Sequence, residues 1–167
     1  ATPIVPEVLR AMKPYWRKNF ANTSSLHAAG REAKRILEQC RTSCALLLNC
    51  LPDEVIFTSG GTESINLALK GHVAARKKKQ HIVSTTVEHA ATIEKLRRLK
   101  KAPHRISFIP CNHAGMINVE DIIAAIHPDT SLITVILAQN EIGTVEPVAE
   151  IGRRLVNVNR ERAKKDL

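Results

Sequence analysis

Aromatic residues are scarce in this chain. Phenylalanine, tryptophan and tyrosine together make up 3% of its 167 residues. That leaves few flat side chains for bases to stack on, so a nucleic-acid partner is not expected despite a formal net charge of +9. The charge is also spread along the chain. The cluster Arg76-Lys77-Lys78-Lys79 reads as the solvated C-terminus of a helix, where cations complement the dipole. No apolar run approaches the ~20 residues that a membrane-spanning helix needs, so no membrane partner is expected. Internal repeats, linkers and low-complexity segments are absent. The four cysteines, Cys40, Cys44, Cys50 and Cys111, form no C-x-x-C pair, and no metal site is expected. Cys40 and Cys44 share an amphipathic stripe with Ile36, Leu37, Leu47 and Leu48. They are expected to fill the buried side of a helix as reduced thiols, which suits the cytoplasm or the mitochondrial matrix.

What is present is an ordinary soluble composition, long enough for one domain with a core, and one unusual turn. Glu54-Val55-Ile56-Phe57-Thr58 reads as a strand, Ser59-Gly60-Gly61-Thr62-Glu63-Ser64 as a turn, and Asn66-Leu67-Ala68-Leu69-Lys70 as the body of a helix. Two glycines permit close approach and angles that other residues avoid. The helix start offers unpaired N–H groups and a positive dipole end. With the hydroxyls of Thr62 and Ser64 these features describe a cup for a phosphate. Taken in isolation, a glycine pair reads better as a turn that binds nothing. The spacing matches neither the G-x-G-x-x-G dinucleotide pattern nor the G-x-x-x-x-G-K-[ST] P-loop, so the phosphate is not expected to belong to NAD or ATP.

Along the chain, helix and strand signals alternate. Helices are expected at Pro6–Lys18, with a kink or end at Pro14, at Arg31–Leu48, Thr62–Lys77, Ala91–Lys100 and Val119–Ile126, and from Pro147 to about Lys164. Strands are expected at Val55–Thr58, His81–Thr86, Arg105–Pro110 and Ser131–Leu137. The β-α-β order implies an α/β class with a largely parallel sheet.

Read outward from the turn, the sequence resembles the cysteine desulfurase and selenocysteine lyase family. These are pyridoxal-phosphate (PLP) enzymes of the class V aminotransferase group. Ala1-Thr2-Pro3 is similar to the end of the family's D-Y-x-A-T-T-P motif. Asn22-Thr23-Ser24-Ser25-Leu26-His27-Ala28-Ala29-Gly30-Arg31-Glu32-Ala33 resembles G-N-P-S-S-x-H-x-x-G-R-x-A. Residues 54–66 resemble E-[IV]-x-F-T-S-G-x-T-E-x-x-N. Val87-Glu88-His89 carries the E-H pair, and Gln139-Asn140-Glu141-Ile142-Gly143-Thr144 resembles N-N-E-[IT]-G. The departures are Ala21 for Gly, Thr23 for Pro and Gln139 for the first Asn. Residues 157–162 look more like the selenocysteine lyase branch.

The resemblance implies the fold and the site. The fold is α/β: part of the large domain of the PLP-dependent aspartate-aminotransferase-like fold, a mostly parallel sheet flanked by helices. Residues 1–167 would be its N-terminal part, without the later strands and the C-terminal small domain, and any leader would already be lost. In that domain the first strand lies across the sheet from the next three. Val55–Thr58 is therefore expected to lack neighbours, with exposed apolar edges there and near Leu132–Leu137.

By resemblance, Gly61 and Thr62 bind the cofactor phosphate. His89, the catalytic candidate, stacks on the ring, and Asn140 meets the phenolic oxygen. The four residues are expected to share one cleft. Glu141 is expected to anchor structure. His27 and Arg31 fall in a helix-entry and dimer-contact region, where simple capping fits equally well.

The family's H-x-D-A-x-Q and S-x-H-K segments, its nucleophilic cysteine and its substrate arginine have no counterpart in this sequence. The implied activity is removal of sulfur or selenium from cysteine or selenocysteine to give alanine. A homodimer and a sulfur- or selenium-accepting protein are the implied partners. The chain alone is expected to be inactive. A non-catalytic PLP-fold subunit and another class V aminotransferase are the alternatives.

Overall fold

A computed structural model describes residues 3–76, 78–100 and 103–164. Ala1 and Thr2 of the first motif, and Lys77 of the basic cluster, lie outside the described residues. The chain divides into two compact units, Ala1–Phe57 and Thr58–Leu167.

In the first unit, helix α1 (Pro6–Arg17) starts with proline in its first turn, where the missing N–H costs nothing. It runs through Pro14 and closes within one further turn. Its apolar side chains Val8, Leu9, Met12, Tyr15 and Trp16 are all exposed. Helix α2 (Ala28–Leu48) begins three residues before its expected start, because His27 caps it: the His27 Nδ1 accepts from the Gly30 N–H at 3.2 Å. Arg31 reaches back to the Leu26 carbonyl. The helix ends at Asn49, whose left-handed backbone (φ 52°) returns its N–H to Ala45 and Leu46.

The expected buried stripe of α2 is corrected. Cys40, Leu47 and Leu48 are exposed, and Ile36, Leu37 and Cys44 are only half-buried. Helical periodicity identifies an apolar face but does not supply a surface to cover it.

Val55–Thr58 is not a strand either. A short 3₁₀ turn (Pro52–Glu54) leads into it, and the Val55 carbonyl is taken by the Arg41 guanidinium rather than by a neighbouring strand. Arg41 also lies 5.0 Å from the Phe57 ring centroid. Ile56 remains 67% exposed, so apolar β-type sequence here finds neither ladder nor cover.

The second unit holds the sheet. Strands β1 (His81–Thr85), β2 (Arg105–Ile109) and β3 (Thr130–Ile133) are all parallel, in the order β2-β1-β3. Helices α3 (Gly61–Ala75) and α4 (Ala90–Lys100) cover one face, with Leu69, Ile82, Leu96 and Ile106 packed together. Helices α5 (Val119–Ala124) and α6 (Val148–Lys164) cover the other, around Val83, Ile109, Ile117, Ile122 and Ile151. All five β1 residues are buried, as a central parallel strand requires.

Strand β3 is shorter than expected. It pairs only with β1, and its register slips between His81 and Ile82. Beyond Ile133 one further bond follows, from the Thr134 N–H to the Val83 carbonyl, and the chain then leaves the ladder. Residues 132–136 stay half-buried, and Leu137 is exposed.

Candidate functional site

The phosphate turn opens α3. Gly60 is extended (φ 162°, ψ 178°), so the expected need for unusual glycine angles is not met at this position. What the two glycines provide is room: a Cβ on either would meet nothing within 4 Å. No side chain caps α3. Its first backbone bond runs from the Ser64 N–H to the Gly60 carbonyl, which leaves the amides of Gly61, Thr62 and Glu63 unbonded among the described residues. A 15-residue helix thus presents open donors and its positive end to an open space.

The hydroxyls divide. Ser64 Oγ lies 2.6 Å from Thr58 Oγ1 and is turned into its own loop, whereas Thr62 is exposed. Glu63 accepts from the Ser59 N–H and hydroxyl at 2.7 and 2.6 Å. These bonds, the side-chain one first, hold its carboxyl below the usual range.

His89 follows β1 and precedes α4. Its Nδ1 accepts from the Ala91 N–H at 3.1 Å, so it caps α4. That hydrogen-bond pattern assigns the ring proton of the neutral form to Nε2. The preceding Glu88 is only 7% exposed. Burial, the largest influence, pushes the pKa of its carboxyl up, with the nearby Ile136 backbone and Thr92 side chain acting against it. One carboxyl oxygen, Oε1, has no partner among the described residues.

Asn140 sits in a turn that follows β3, with its side chain exposed. Gln139 builds that turn. Its side-chain oxygen accepts from the Glu141 and Ile142 amides at 2.5 and 3.3 Å, and its backbone exchanges bonds with Thr144 and Gly143. Its side-chain N–H reaches the Val87 carbonyl at 3.5 Å. The anchor role expected of Glu141 therefore falls to Gln139; Glu141 is exposed, and among the described residues its carboxylate makes no hydrogen bond. Gly115 supports the turn from below. Its φ is +76°, and a Cβ there would lie 2.3 Å from the Ile142 side chain.

The Gln139 side chain thus ties the Asn140 turn to the His89 loop through the Val87 carbonyl, beyond the carboxyl ends of β1 and β3. The Gly61–Thr62 turn belongs to α3, which packs on α4. Among the described residues no hydrogen bond joins it to either loop.

Sequence reasoning passed over His81. It is fully buried at the opposite end of β1, with Nδ1 2.7 Å from Thr130 Oγ1 and Nε2 2.9 Å from Ser107 Oγ. The only available signal was its place at the head of an apolar strand.

A parallel sheet between helix pairs defines an α/β domain, in which ligand sites gather beyond the carboxyl ends of the strands. The chain belongs to the class-V aminotransferase family, whose model matches residues 1–160. Enzymes of this family depend on pyridoxal phosphate. "Cysteine desulfurase IscS" of Dictyoglomus turgidum is 41% identical over 153 residues, covering 91% of this chain and 39% of its own. "Cysteine desulfurase" of Rattus norvegicus is 42% identical over 154 residues, covering 91% and 34%. Among solved structures, a "NifS-like protein" has a TM-score of 0.87 at 33% identity, covering 91% of this chain and 42% of that one. A structure described as "SspA in complex with cysteine" has a TM-score of 0.89 at 32% identity, covering 95% and 46%. The chain thus spans between a third and two fifths of the length of the curated relatives it matches. No described helix is long and apolar enough to cross a membrane.

The residues present fit the cofactor at three points. The open amides of α3 suit a dianionic phosphate. The His89 ring, held by its Nδ1, keeps its faces for a flat partner. The exposed Asn140 amide offers a donor.

Proposed function

We propose that this chain is the N-terminal part of the large domain of a PLP-dependent cysteine desulfurase, which takes sulfur from cysteine, or selenium from its selenol analogue, and yields alanine. The observation that carries the reading is the bond from the Gln139 side chain to the Val87 carbonyl, which joins the turn of Asn140 to the loop of His89 at the carboxyl ends of β3 and β1. Both residues match family cofactor positions.

Pyridoxal phosphate, when bound, supplies an electron sink for bond breaking at the amino acid. The chain's own residues bind and orient. The amides of Gly61 and Thr62 would receive the phosphate charge, aided by the α3 dipole. His89, with Nδ1 occupied by the Ala91 amide, would offer its ring to the cofactor. The Asn140 amide would donate to the phenolic oxygen. No lysine of this sequence stands in an S-x-H-K context, and no cysteine matches the family nucleophile. The 167 residues therefore form no covalent link and do not turn over alone.

The test is a titration of the protein with pyridoxal phosphate, followed by borohydride. Reversible binding is expected, weakened by His89→Ala and by Asn140→Ala, with no adduct concentrated at one lysine. A single-lysine adduct with alanine released from cysteine would overturn the inactivity. Absence of any binding would remove the site.

A further inference from the structure

The loops beyond β2 and β3 are small hairpins. Residues 111–117 close on a bridge between Cys111 and Ile117, and residues 138–145 on a bridge between Ala138 and Val145. Strand β1 lies between β2 and β3, so the two hairpins do not start as neighbours. They are nonetheless joined. At the foot of the second hairpin, Glu146 Oε2 accepts from the buried Ile117 N–H at 3.0 Å. Further along the same arm, the Thr144 hydroxyl donates to the Ala114 carbonyl at 3.0 Å. Near the tip, the Ile142 side chain packs on Gly115 and leaves no room for a Cβ, which would lie 2.3 Å from it. Glu146 is only 2% exposed, and Ile117 belongs to the core around Val83 and Ile151. Burying a carboxylate is costly, and an apolar side chain would fill the space more cheaply. What an apolar side chain lacks is an acceptor. Among the described residues the Ile117 N–H has no partner except Glu146, and a buried amide left unpaired is costly in its own right.

We propose that Glu146 is a positioning residue, which seats the hairpin of Asn140 on the hairpin beyond β2. Its backbone closes the Asn140 hairpin, through an N–H bond to the Leu137 carbonyl at 2.8 Å. Its carboxylate then fixes that closed unit to the Ile117 amide. A two-stranded hairpin alone is marginally stable in water, so the direction in which Asn140 points is set by what its hairpin rests on. Thr144 and Ile142 complete the seat nearer the tip. Glu146 acts through Ile117 and needs no contact with a ligand. The task given to Asn140 rests on the cofactor reading above; the seating of its hairpin does not.

The experiment compares Glu146→Leu, Glu146→Gln and Thr144→Val in the whole chain, by amide exchange, side-chain NMR and titration with pyridoxal phosphate. In Glu146→Leu the Ile117 amide should exchange about tenfold faster, beyond any change in the β1 amides; that factor is about 1.4 kcal/mol, in the range of one hydrogen bond. The Asn140 side-chain amide signals should move with it. Glu146→Gln keeps an acceptor oxygen and should restore both. Pyridoxal phosphate affinity should fall about fivefold in Glu146→Leu and recover in Glu146→Gln. Glu146→Leu made in an Asn140→Ala background should cost no further affinity, because the group being positioned is already gone. A residue that stabilised only the fold would lower affinity equally in both backgrounds, and that result would overturn the role. So would Asn140 signals that stay in place while Ile117 exchange accelerates. If Glu146→Leu fails to fold, Thr144→Val decides. It removes the second bond between the hairpins and should shift the Asn140 signals; unmoved signals there would overturn the seat. If the unaltered protein binds no pyridoxal phosphate, the cofactor reading falls, and the exchange and NMR results judge the seat alone.

Discussion

The His89 ring meets the backbone of its own helix before it meets any ligand. One nitrogen caps α4 through the Ala91 amide, and the other carries the proton. Removing the ring therefore does two things at once. His89→Ala should cost about 1 kcal/mol of stability in urea unfolding, the usual value of a lost cap, and should weaken pyridoxal phosphate binding as well. His89→Asn should restore the cap but not the binding, because asparagine accepts from a helix amide and has no ring face. Equal stability losses in both variants would show that the cap contributes nothing. His27 uses its ring in the same way at the head of α2, and there the neighbouring Gly30 is held even more tightly. A Cβ on Gly30 would lie 2.3 Å from the Ser25 carbonyl oxygen and 2.9 Å from that of Asn22. Both contacts are backbone, so neither can swing aside. Gly30→Ala should destabilise the first unit by about 1–3 kcal/mol, the range for an overpacked site, read as early loss of protection in the α2 amides.

At the scale of elements, patterning identified the six α-helices and the three paired strands found among the described residues. Helix periods and the alternation of helix with strand survive without knowledge of partners. The errors fall where the outcome depended on a neighbour. Val55–Thr58 has strand composition but no strand beside it, and Arg41 takes the carbonyl that a ladder would have used. Ser131–Leu137 is apolar throughout, yet only its first part pairs, because β1 ends first. In the site, motif likeness singled out His89 and Asn140 but could not reveal that Gln139 bonds the loop of one from the turn of the other, or that Glu88 is buried beside His89. A buried carboxylate is invisible in a sequence until its environment is known. The core under these loops should behave conventionally. Leu96 is fully buried between α4 and the sheet, so Leu96→Ala should lower stability by about 2–5 kcal/mol in denaturant titration. A loss below that range would indicate that the α3–α4 layer can collapse onto the gap.

For the whole molecule, two buried groups give stability a pH dependence of opposite sign. Burial, aided by Arg105, lowers the pKa of His81 from its ordinary 6.5. The unfolded chain then binds the proton more readily, so stability should fall as pH drops below 6.5 toward the depressed folded value. His72, lowered by burial and by Arg76, acts in the same direction. Glu88 acts in the other. Its raised pKa means that the folded state takes up a proton first, so stability falls as pH rises from 4.5 through the raised value. Glu88→Gln removes that opposing contribution. Its urea midpoint should therefore drop more steeply than that of the unaltered protein as pH falls from 6.5 to 4.5. Parallel curves would show that Glu88 does not change protonation on folding.

The strand order β2-β1-β3 has a consequence for synthesis. The central strand leaves the ribosome before either neighbour. His81 emerges with no hydrogen-bond partner for its ring; Ser107 arrives 26 residues later and Thr130 arrives 49 residues later. Each docking closes a longer loop than the last, at a cost that grows only slowly with length. A nascent chain that has reached Ile109 already holds β1, α4 and β2, a complete crossover unit with half of its central strand's rungs. The most buried strand of these three therefore spends the early part of its life as an edge, and this is the interval in which a chaperone has most to protect.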